Sequence, residues 1–327
     1  MSLQDFAATA VVKTLAAGYP GTGKTGSLAS LANSGRYNLR VMALDGNTTT
    51  TVLLRYIRPE FHDKVEVYVP PRDNVRIGAE RAETVGIPRR FTTTLNMIDR
   101  WKYKKLDGTE VDFGPVKEWG PKDVLVLDNL TEVSTDAFRH VLMGAGRVQK
   151  GPRQRDWGTA QDLIRAMVEL LASDLVPCNV MVLAHLKMIG PPRPDENDTE
   201  EEKVHKSALQ EIIPYRLCPL VLGQQLAGEI ARYFPFSLLY ERQVMGSQVK
   251  RVIVTRPREA ADAKMPLDLP TELPIETGLL TIFDMVHGSV KVPGPQPSPV
   301  VATSGGKGEG MVPRPEVSAL KPEDKPT

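Results

Sequence analysis

The stretch Gly18-Tyr19-Pro20-Gly21-Thr22-Gly23-Lys24-Thr25 decides the fold, because it fits the phosphate-loop pattern G-x-x-x-x-G-K-[ST] at every position. Its glycines let the backbone curl until successive N–H groups point inward and form a concave anion site. Lys24 adds a point charge for the β- and γ-phosphates, and Thr25 offers a hydroxyl to Mg²⁺. The pattern predicts a site for a magnesium-bound nucleoside triphosphate and, with it, an ATPase. The residues expected to hold the nucleotide are Gly18, Tyr19, Pro20, Gly21, Thr22, Gly23, Lys24, Thr25 and Gly26.

The segments around this loop have the composition of alternating strands and helices. An apolar, β-branched run at 11–17 predicts a buried strand before the loop, and 25–32 has helical composition after it. Further strands are predicted at 39–44, 65–69, 124–127 and 180–184, and a helix with a 3.6-residue apolar period is predicted at 160–175. This order predicts an α/β fold with a mostly parallel sheet flanked by helices.

Polar residues follow three of the predicted strands, at the edge of an α/β sheet where ligands bind: Asp45, Asp128 and His185. Asp128 ends the run Val124-Leu125-Val126-Leu127, which predicts a Walker B carboxylate beside the magnesium held by Thr25.

Hydrolysis also requires a group that orients or deprotonates water, and three residues are candidates. Asp45 lies at the tip of the second strand. Glu132 either faces the site or begins the next helix. His185 either senses the γ-phosphate or is a hydrogen-bonded, buried histidine.

Bulk composition indicates a soluble globular protein. The chain has 327 residues, of which 41% are hydrophobic and 25% charged, and its formal net charge is +1. A nucleic-acid surface, if present, must therefore be local. Two cysteines exclude a disulfide framework, and no segment has the ~20 apolar residues of a membrane helix, so a cytoplasmic protein without membrane contact is expected.

The rest of the chain divides by composition. Strand-like runs at 238–242 and 249–255 around Met245-Gly246-Ser247 predict a late β-hairpin. We predict one P-loop ATPase domain over 1–287, with a basic insertion at 72–122 and an acidic loop at 187–207. The remainder, 288–327, is rich in proline and glycine and predicts a disordered tail that could recruit a protein partner.

Together these motifs resemble a known family. The phosphate loop, Leu44-Asp45, Asp128-Asn129-Leu130-Thr131-Glu132, Asp156-Trp157-Gly158, the run ending in Ala184-His185 and the run ending in Arg256 occur in that order. The chain over 11–286 resembles the phage-encoded AAA-domain nucleotide-binding proteins, which include RecA-like single-strand annealing ATPases.

The resemblance implies a RecA-like core, ATP as the nucleotide, and a role in viral DNA recombination or replication in the host cytoplasm. It implies that Lys24 and Thr25 contact phosphate and magnesium, that Asp128 is the Walker B acid, and that His185 senses the γ-phosphate. RecA-like proteins commonly have an acid two places beyond Asp45. This chain has Asn47 there, and because asparagine cannot accept a proton, the departure argues against fast hydrolysis.

The resemblance also places two loops near DNA. The first, 144–158, is called the basic segment below, and its cations and aromatic suit phosphate contacts and base stacking on single-stranded DNA: Arg147, Lys150, Arg153, Arg155 and Trp157. A solvated loop, or one that reaches a neighbouring subunit's nucleotide, are the alternatives. The second, 187–207, is acidic and would repel DNA.

Two further basic regions have open interpretations. The region 72–105 either lines a nucleic-acid path or forms the charged face of an amphipathic helix. Lys250, Arg251 and Arg256 on the late hairpin are either a finger that acts in trans on a neighbouring subunit's nucleotide or ordinary edge-strand charges.

These observations favour a DNA-associated ATPase that assembles as a ring or filament of identical subunits. The alternatives are a P-loop phosphotransferase acting on a small molecule and a nucleotide-gated DNA-binding module with little turnover. The second alternative is consistent with Asn47.

Overall fold

The computed structural model describes residues 10–71, 75–77, 82–84, 88–105, 107–148, 151–191, 194, 198–212, 215–246, 248–257 and 263–288. All of them belong to one compact unit, whose boundary falls after Lys291. The predicted tail lies outside the described residues apart from Gly288, and the domain division made from the sequence remains a prediction.

The described strands are β1 Lys13–Gly18, β2 Asn38–Ala43, β3 Val65–Tyr68, β4 Val75–Ile77, β5 Ala82–Thr84, β6 Arg100–Lys104, β7 Glu110–Pro115, β8 Asp123–Asp128, β9 Asn179–Ala184, β10 Leu186–Ile189, β11 Arg216–Pro219, β12 Phe236–Met245, β13 Gln248–Val254 and β14 Glu272–Pro274. The α-helices are α1 Lys24–Asn33, α2 Asn47–Tyr56, α3 Arg90–Asp99, α4 Leu130–Gly144, α5 Gln154–Ala172, α6 Glu200–Ile212, α7 Gln224–Tyr233 and α8 Gly278–Val286, with short 3₁₀ turns at Pro59–Lys64 and Val116–Glu118.

An eight-stranded sheet in the order β14-β13-β12-β1-β9-β8-β2-β3 organises the molecule. The strands from β12 to β3 are parallel, and β13 and β14 extend the β12 side in antiparallel orientation. The phosphate-loop strand β1 is separated from the Walker B strand β8 by β9. The carboxyl ends of β1, β9, β8 and β2 therefore lie side by side along one edge of the sheet.

Alternate residues of the central strands pack on opposite faces of this sheet. Leu15 of β1 belongs to a core formed with α3, α4, α5 and α7, whereas Ala16 belongs to a core formed with α1, α2 and α8. Near-continuous burial of β1, β8 and β9 follows from this double coverage. The predicted fold class, a mostly parallel sheet flanked by helices, is confirmed.

The late hairpin is also confirmed, because β12 and β13 pair in register from Leu239–Val254 to Met245–Gln248. Sequence patterns missed α3, α6, α7 and α8 and the three small two-stranded sheets. These elements are short and irregularly amphipathic, so their local patterns are weak.

The prediction that 144–158 is a loop is wrong at both ends. Helix α4 continues to Gly144, and α5 begins at Gln154, so Arg155, Trp157 and Gly158 lie in the first turns of a helix. The physical reason is Asp156, whose carboxylate accepts the Arg153 N–H at 2.8 Å and so satisfies an otherwise unpaired donor at the helix start.

The acidic segment 187–207 is likewise not a single loop. It begins within β10, and α6 covers its second half from Glu200. Thr199 and Glu202 form a reciprocal capping box, with Thr199 N–H to Glu202 Oε2 at 2.8 Å and Glu202 N–H to Thr199 Oγ1 at 3.3 Å. Acids in the first turn also match the positive end of the helix dipole.

The region 72–105 is not an amphipathic helix at its basic end. Residues 100–104 form β6 of a hairpin in which Trp101 is fully buried. Arg100 pairs with Asp112 at 2.6 Å, and Lys105 pairs with Glu66 at 3.3 Å. These acids from β7 and β3 neutralise cations that the sequence suggested for a nucleic-acid path.

Candidate functional site

The phosphate loop connects the end of β1 to the start of α1, as its pattern predicts. Gly21 and Gly23 have φ values of 76° and 95°, a region that favours glycine. A Cβ at Gly23 would also lie 2.5 Å from Ile275 Cδ1, so a side chain is excluded there on two grounds. Thr22 closes the turn by donating its hydroxyl to the Tyr19 carbonyl at 2.8 Å.

Lys24 lies at the first position of α1 and is buried. Its ammonium donates to the carbonyls of Gly18 at 2.7 Å and Tyr19 at 3.1 Å, within its own loop. Burial lowers the pKa of Lys24 to about 8, against the opposing effect of the Asp128 and Asp45 carboxylates. The side chain is therefore a cation held in a dry pocket beside the loop amides.

Three oxygen-bearing side chains meet next to Lys24. Asp128 Oδ2 accepts hydrogen bonds from the hydroxyls of Thr25 and Thr49, both at 2.9 Å. Burial raises the pKa of Asp128 to about 6, and the two hydroxyl donors oppose that rise. Thr49 comes from α2 and was missed by sequence reasoning, because nothing in its local pattern marks it.

These oxygens fit a magnesium ion. Mg²⁺ uses one or two carboxylates together with substrate phosphates and retained waters, so it needs few protein ligands. In the described part of the chain, no three His, Cys, Asp or Glu side chains cluster into a metal site of their own. Thr25 and Asp128 are the residues that would hold the ion.

Asn129 joins the remaining polar residues of the carboxyl edge. The peptide bond between Asp128 and Asn129 is cis. The Asn129 amide donates to Asp45 Oδ1 at 2.9 Å and lies 3.3 Å from His185 Nε2. His185 Nε2 is also 4.0 Å from Asp45 Oδ2, and burial lowers the pKa of His185. The structure thus brings Asp45, Asp128 and His185 to one edge, as their positions after three strands suggested.

Glu132 belongs to the start of α4. Its N–H donates to the Asn129 side-chain oxygen at 2.9 Å, which is the helix-start interpretation of this residue. Its carboxylate lies 3.5 Å from the guanidinium of Arg90. Asn47, at the start of α2, is exposed.

A broad groove lies beside the phosphate loop, on the α2 and α8 side. Its volume is about 570 Å³, and its lining includes Tyr56 of α2, Arg251 of β13, and Ile275 and Glu276 after β14. The Tyr56 ring is half exposed, and a Cβ at Gly26 would contact it at 3.5 Å. Sequence reasoning missed this groove because its walls come from distant segments.

Arg251 was predicted as part of a finger acting in trans, but it contacts its own phosphate loop. Its Nε donates to the Gly21 carbonyl at 3.0 Å. Lys250 lies 3.6 Å from Glu272, and Arg256 lies 3.3 Å from Asp268. The alternative prediction, edge-strand charges, describes the latter two residues.

The residues predicted to contact DNA have different surroundings. Arg147 forms a bidentate ion pair with Asp156, whose second bond is 2.8 Å from Arg147 Nε to Asp156 Oδ2. The Arg147 hydrogen bonds hold the pKa of Asp156 below its ordinary value. Arg153 and Arg155 are exposed, and Trp157 stacks on Phe138 with ring centroids 4.1 Å apart. Lys150 lies outside the described residues.

Comparisons with known proteins agree with this architecture in a limited way. No protein-family model and no curated protein match the chain. A KaiC-like protein from Pyrococcus horikoshii OT3 is similar over 80% of this chain and 84% of its own, at 10% identity and a TM-score of 0.36. The RadB recombinase is similar over 78% and 84%, at 12% identity and 0.34, and the flagellar accessory protein FlaH from Methanocaldococcus jannaschii over 75% and 77%, at 9% and 0.32.

The fold is a RecA-like P-loop ATPase fold. This assignment rests on the strand order, with β9 between the phosphate-loop strand and the Walker B strand, and on the loop geometry, since similarities as low as these carry no argument by themselves. None of the helices in the described part of the chain has both the length and the apolar composition needed to cross a membrane.

Proposed function

We propose that the protein binds ATP with Mg²⁺ at the phosphate loop and hydrolyses it. The convergence of Lys24, Thr25 and Asp128 at the carboxyl ends of β1 and β8 is the observation that carries this proposal. The triphosphate would replace the Gly18 and Tyr19 carbonyls as the partner of the Lys24 ammonium. Bound phosphate would also restore the pKa that burial lowers, because it returns an anion to the pocket.

Magnesium, when bound, neutralises charge on the β- and γ-phosphates and stabilises the charge that develops during transfer. Thr25 and Asp128 would hold it. The Thr49 hydroxyl keeps Asp128 Oδ2 oriented from the opposite side, so the carboxylate needs little reorganisation when the metal arrives.

Asp45 is the best placed of the three candidates to accept a proton from water. Glu132 is paired with Arg90, which restrains its carboxylate and lowers its basicity. The Asp45 carboxylate is oriented by Asn129, beside His185, and about a third of its side chain is exposed. A carboxylate oriented by one amide donor retains lone pairs for water.

The nucleoside would lie in the groove beside the loop. Tyr56 offers an aromatic face, and Arg251, fixed to Gly21, offers a planar guanidinium on the other wall. A nucleoside bound there stays attached to phosphates held by the adjacent loop amides.

Action on DNA is the further part of the proposal. The sequence resemblance suggests recombination or replication, including single-strand annealing in a phage, with subunits assembled as a ring or filament. Within the basic segment, Arg153 and Arg155 are exposed on one side of the start of α5 and suit phosphate contacts.

The test is phosphate release from Mg·ATP by purified protein, with and without single-stranded DNA, alongside the molecular mass in solution under each condition. Turnover that DNA stimulates is the expected result. Saturable ATP binding without turnover would favour the nucleotide-gated module, transfer of phosphate to a metabolite would favour the phosphotransferase, and no saturable Mg·ATP binding would overturn the proposal.

A further inference from the structure

We propose that Arg90 is a positioning residue for hydrolysis: it fixes the end of β2, and with it Asp45, against the start of α4. This inference rests on the proposed ATPase function and adds a residue that does not touch the nucleotide. Arg90 is the first residue of α3, in the segment between β3 and β8, and its side chain is only 5% exposed.

The Arg90 guanidinium contacts both sides of one seam. On the β2 side it donates to the carbonyl of Leu44, the residue immediately before Asp45. On the α4 side it lies 3.5 Å from Glu132 Oε2 and 3.4 Å from Asp136 Oδ2. A planar guanidinium presents several donors in a fixed fork, which suits one cation shared among three acceptors.

Leu44 is held from both directions. Its N–H donates to the Asp128 carbonyl at 2.6 Å, and its carbonyl accepts from Arg90. Asp45 therefore follows a residue whose two backbone groups are both fixed. Asn129 bridges the same seam from the nucleotide side, since its amide donates to Asp45 and its oxygen accepts from the Glu132 N–H.

A buried guanidinium is costly unless it is paired, so a buried arginine with three partners indicates a fixed arrangement. Displacements of about 1 Å at a catalytic group can lower a rate by about 100-fold. Arg90 does not contact the phosphate loop in the described structure. Its removal should therefore affect the chemical step more than nucleotide affinity.

The experiment compares Arg90→Met, Arg90→Lys and Arg139→Met in the full-length protein. Arg139 provides a matched control, because its guanidinium lies 3.7 Å from Asp136 Oδ1 but contacts neither Leu44 nor Glu132 among the recorded ion pairs and hydrogen bonds. The readouts are kcat for Mg·ATP, the Kd of a fluorescent ATP analogue, and the melting temperature.

We expect kcat of Arg90→Met to fall by at least about tenfold with Kd within about threefold of the wild type. Arg90→Lys should recover part of kcat, and Arg139→Met should leave both constants unchanged. An unchanged kcat in folded Arg90→Met, or a Kd that rises in step with the loss of kcat, would overturn the inference. If Arg90→Met does not fold, Arg90→Lys is judged by the same two constants.

Failure of the proposed function gives a different pattern. Wild-type protein that binds the analogue but releases no phosphate removes hydrolysis and this role of Arg90 together. Wild-type turnover that Arg90→Met matches removes the positioning role alone.

Discussion

The phosphate loop and the basic segment at 144–158 both contain glycines and cations, yet the fold uses their cations differently. Lys24 is buried beside curled backbone amides, with only loop carbonyls as hydrogen-bond acceptors. Arg147 is instead paired with Asp156 of the same segment, where it supports the start of α5. One cation is held ready for an anionic ligand, and the other is already neutralised by the protein itself.

The difference lies in the kind of pattern each segment has. The phosphate loop fixes a residue type at each of several positions, because each supplies a specific backbone angle or ligand atom. The basic segment was identified by composition, which does not specify which cations face solvent. A nearby acid at a helix start was enough to change the role of one of them.

The largest expected effect concerns Lys24. Lys24→Ala should lower ATP turnover by at least about 100-fold, since the γ-phosphate loses its main side-chain charge in a dry site. The measurement is phosphate release at saturating Mg·ATP.

Lys13→Met is the matched control for Lys24→Ala. Lys13 is buried at the opposite end of β1, where its ammonium donates to the Val176 carbonyl. Turnover of Lys13→Met should stay within about twofold of the wild type. Equal losses in the two variants would mean that Lys24 has a structural role only.

Arg147 should matter for stability rather than for ligand binding. Arg147→Ala leaves the Asp156 carboxylate without its guanidinium partner, and we expect the melting temperature to fall by about 2–5 °C. Arg155→Ala removes an exposed cation from the same helix turn and should leave the melting temperature unchanged. Identical melting curves for Arg147→Ala and the wild type would contradict the structural role.

Tyr56 separates the nucleoside groove from the phosphate loop. Tyr56→Ala should weaken ATP binding by about tenfold, within the usual range for base–aromatic stacking, and leave the affinity for inorganic triphosphate unchanged. Leu54→Ala on the same helix is the control, because Leu54 is exposed and does not line the groove. Equal weakening of both ligands would place the role of Tyr56 in the loop rather than in the groove.

The smallest effect tests the remaining cations of the basic segment. The double variant Arg153→Ala/Arg155→Ala should reduce the salt dependence of single-stranded DNA binding by a slope of about 1–2, since each lost phosphate contact removes just under one unit. Arg232→Ala, an exposed α7 arginine paired with Glu229, should leave the slope unchanged. The same slope in the double variant and the wild type would place the DNA contact elsewhere.

Much of the fold could be predicted because its signals are local. The strands at the centre of the sheet are continuous apolar runs, and the observed β1, β8 and β9 differ from the predicted ranges by at most two residues at either end. The elements between β3 and β8 were not predicted. Their hairpin and short helix depend on contacts such as Tyr103 with Glu66, which join distant parts of the chain.

The same division holds within the candidate site. Asp45, Asp128 and His185 could be selected because each follows an apolar run, and parallel strands bring their carboxyl ends to one edge. Thr49, Asn129 and Arg90 could not, because their roles come from a single contact each with residues that lie close only after folding.

The sequence by itself determined the phosphate loop, the strand order's main class and the acid beside the loop, because backbone angles and strand burial are set by local residue types. Only the tertiary structure decided which charges remain available. It paired Arg147 with Asp156, placed Arg251 on its own loop, and buried Arg90 between β2 and α4. Pairing of charges depends on distances across the fold, and a linear pattern does not contain those distances.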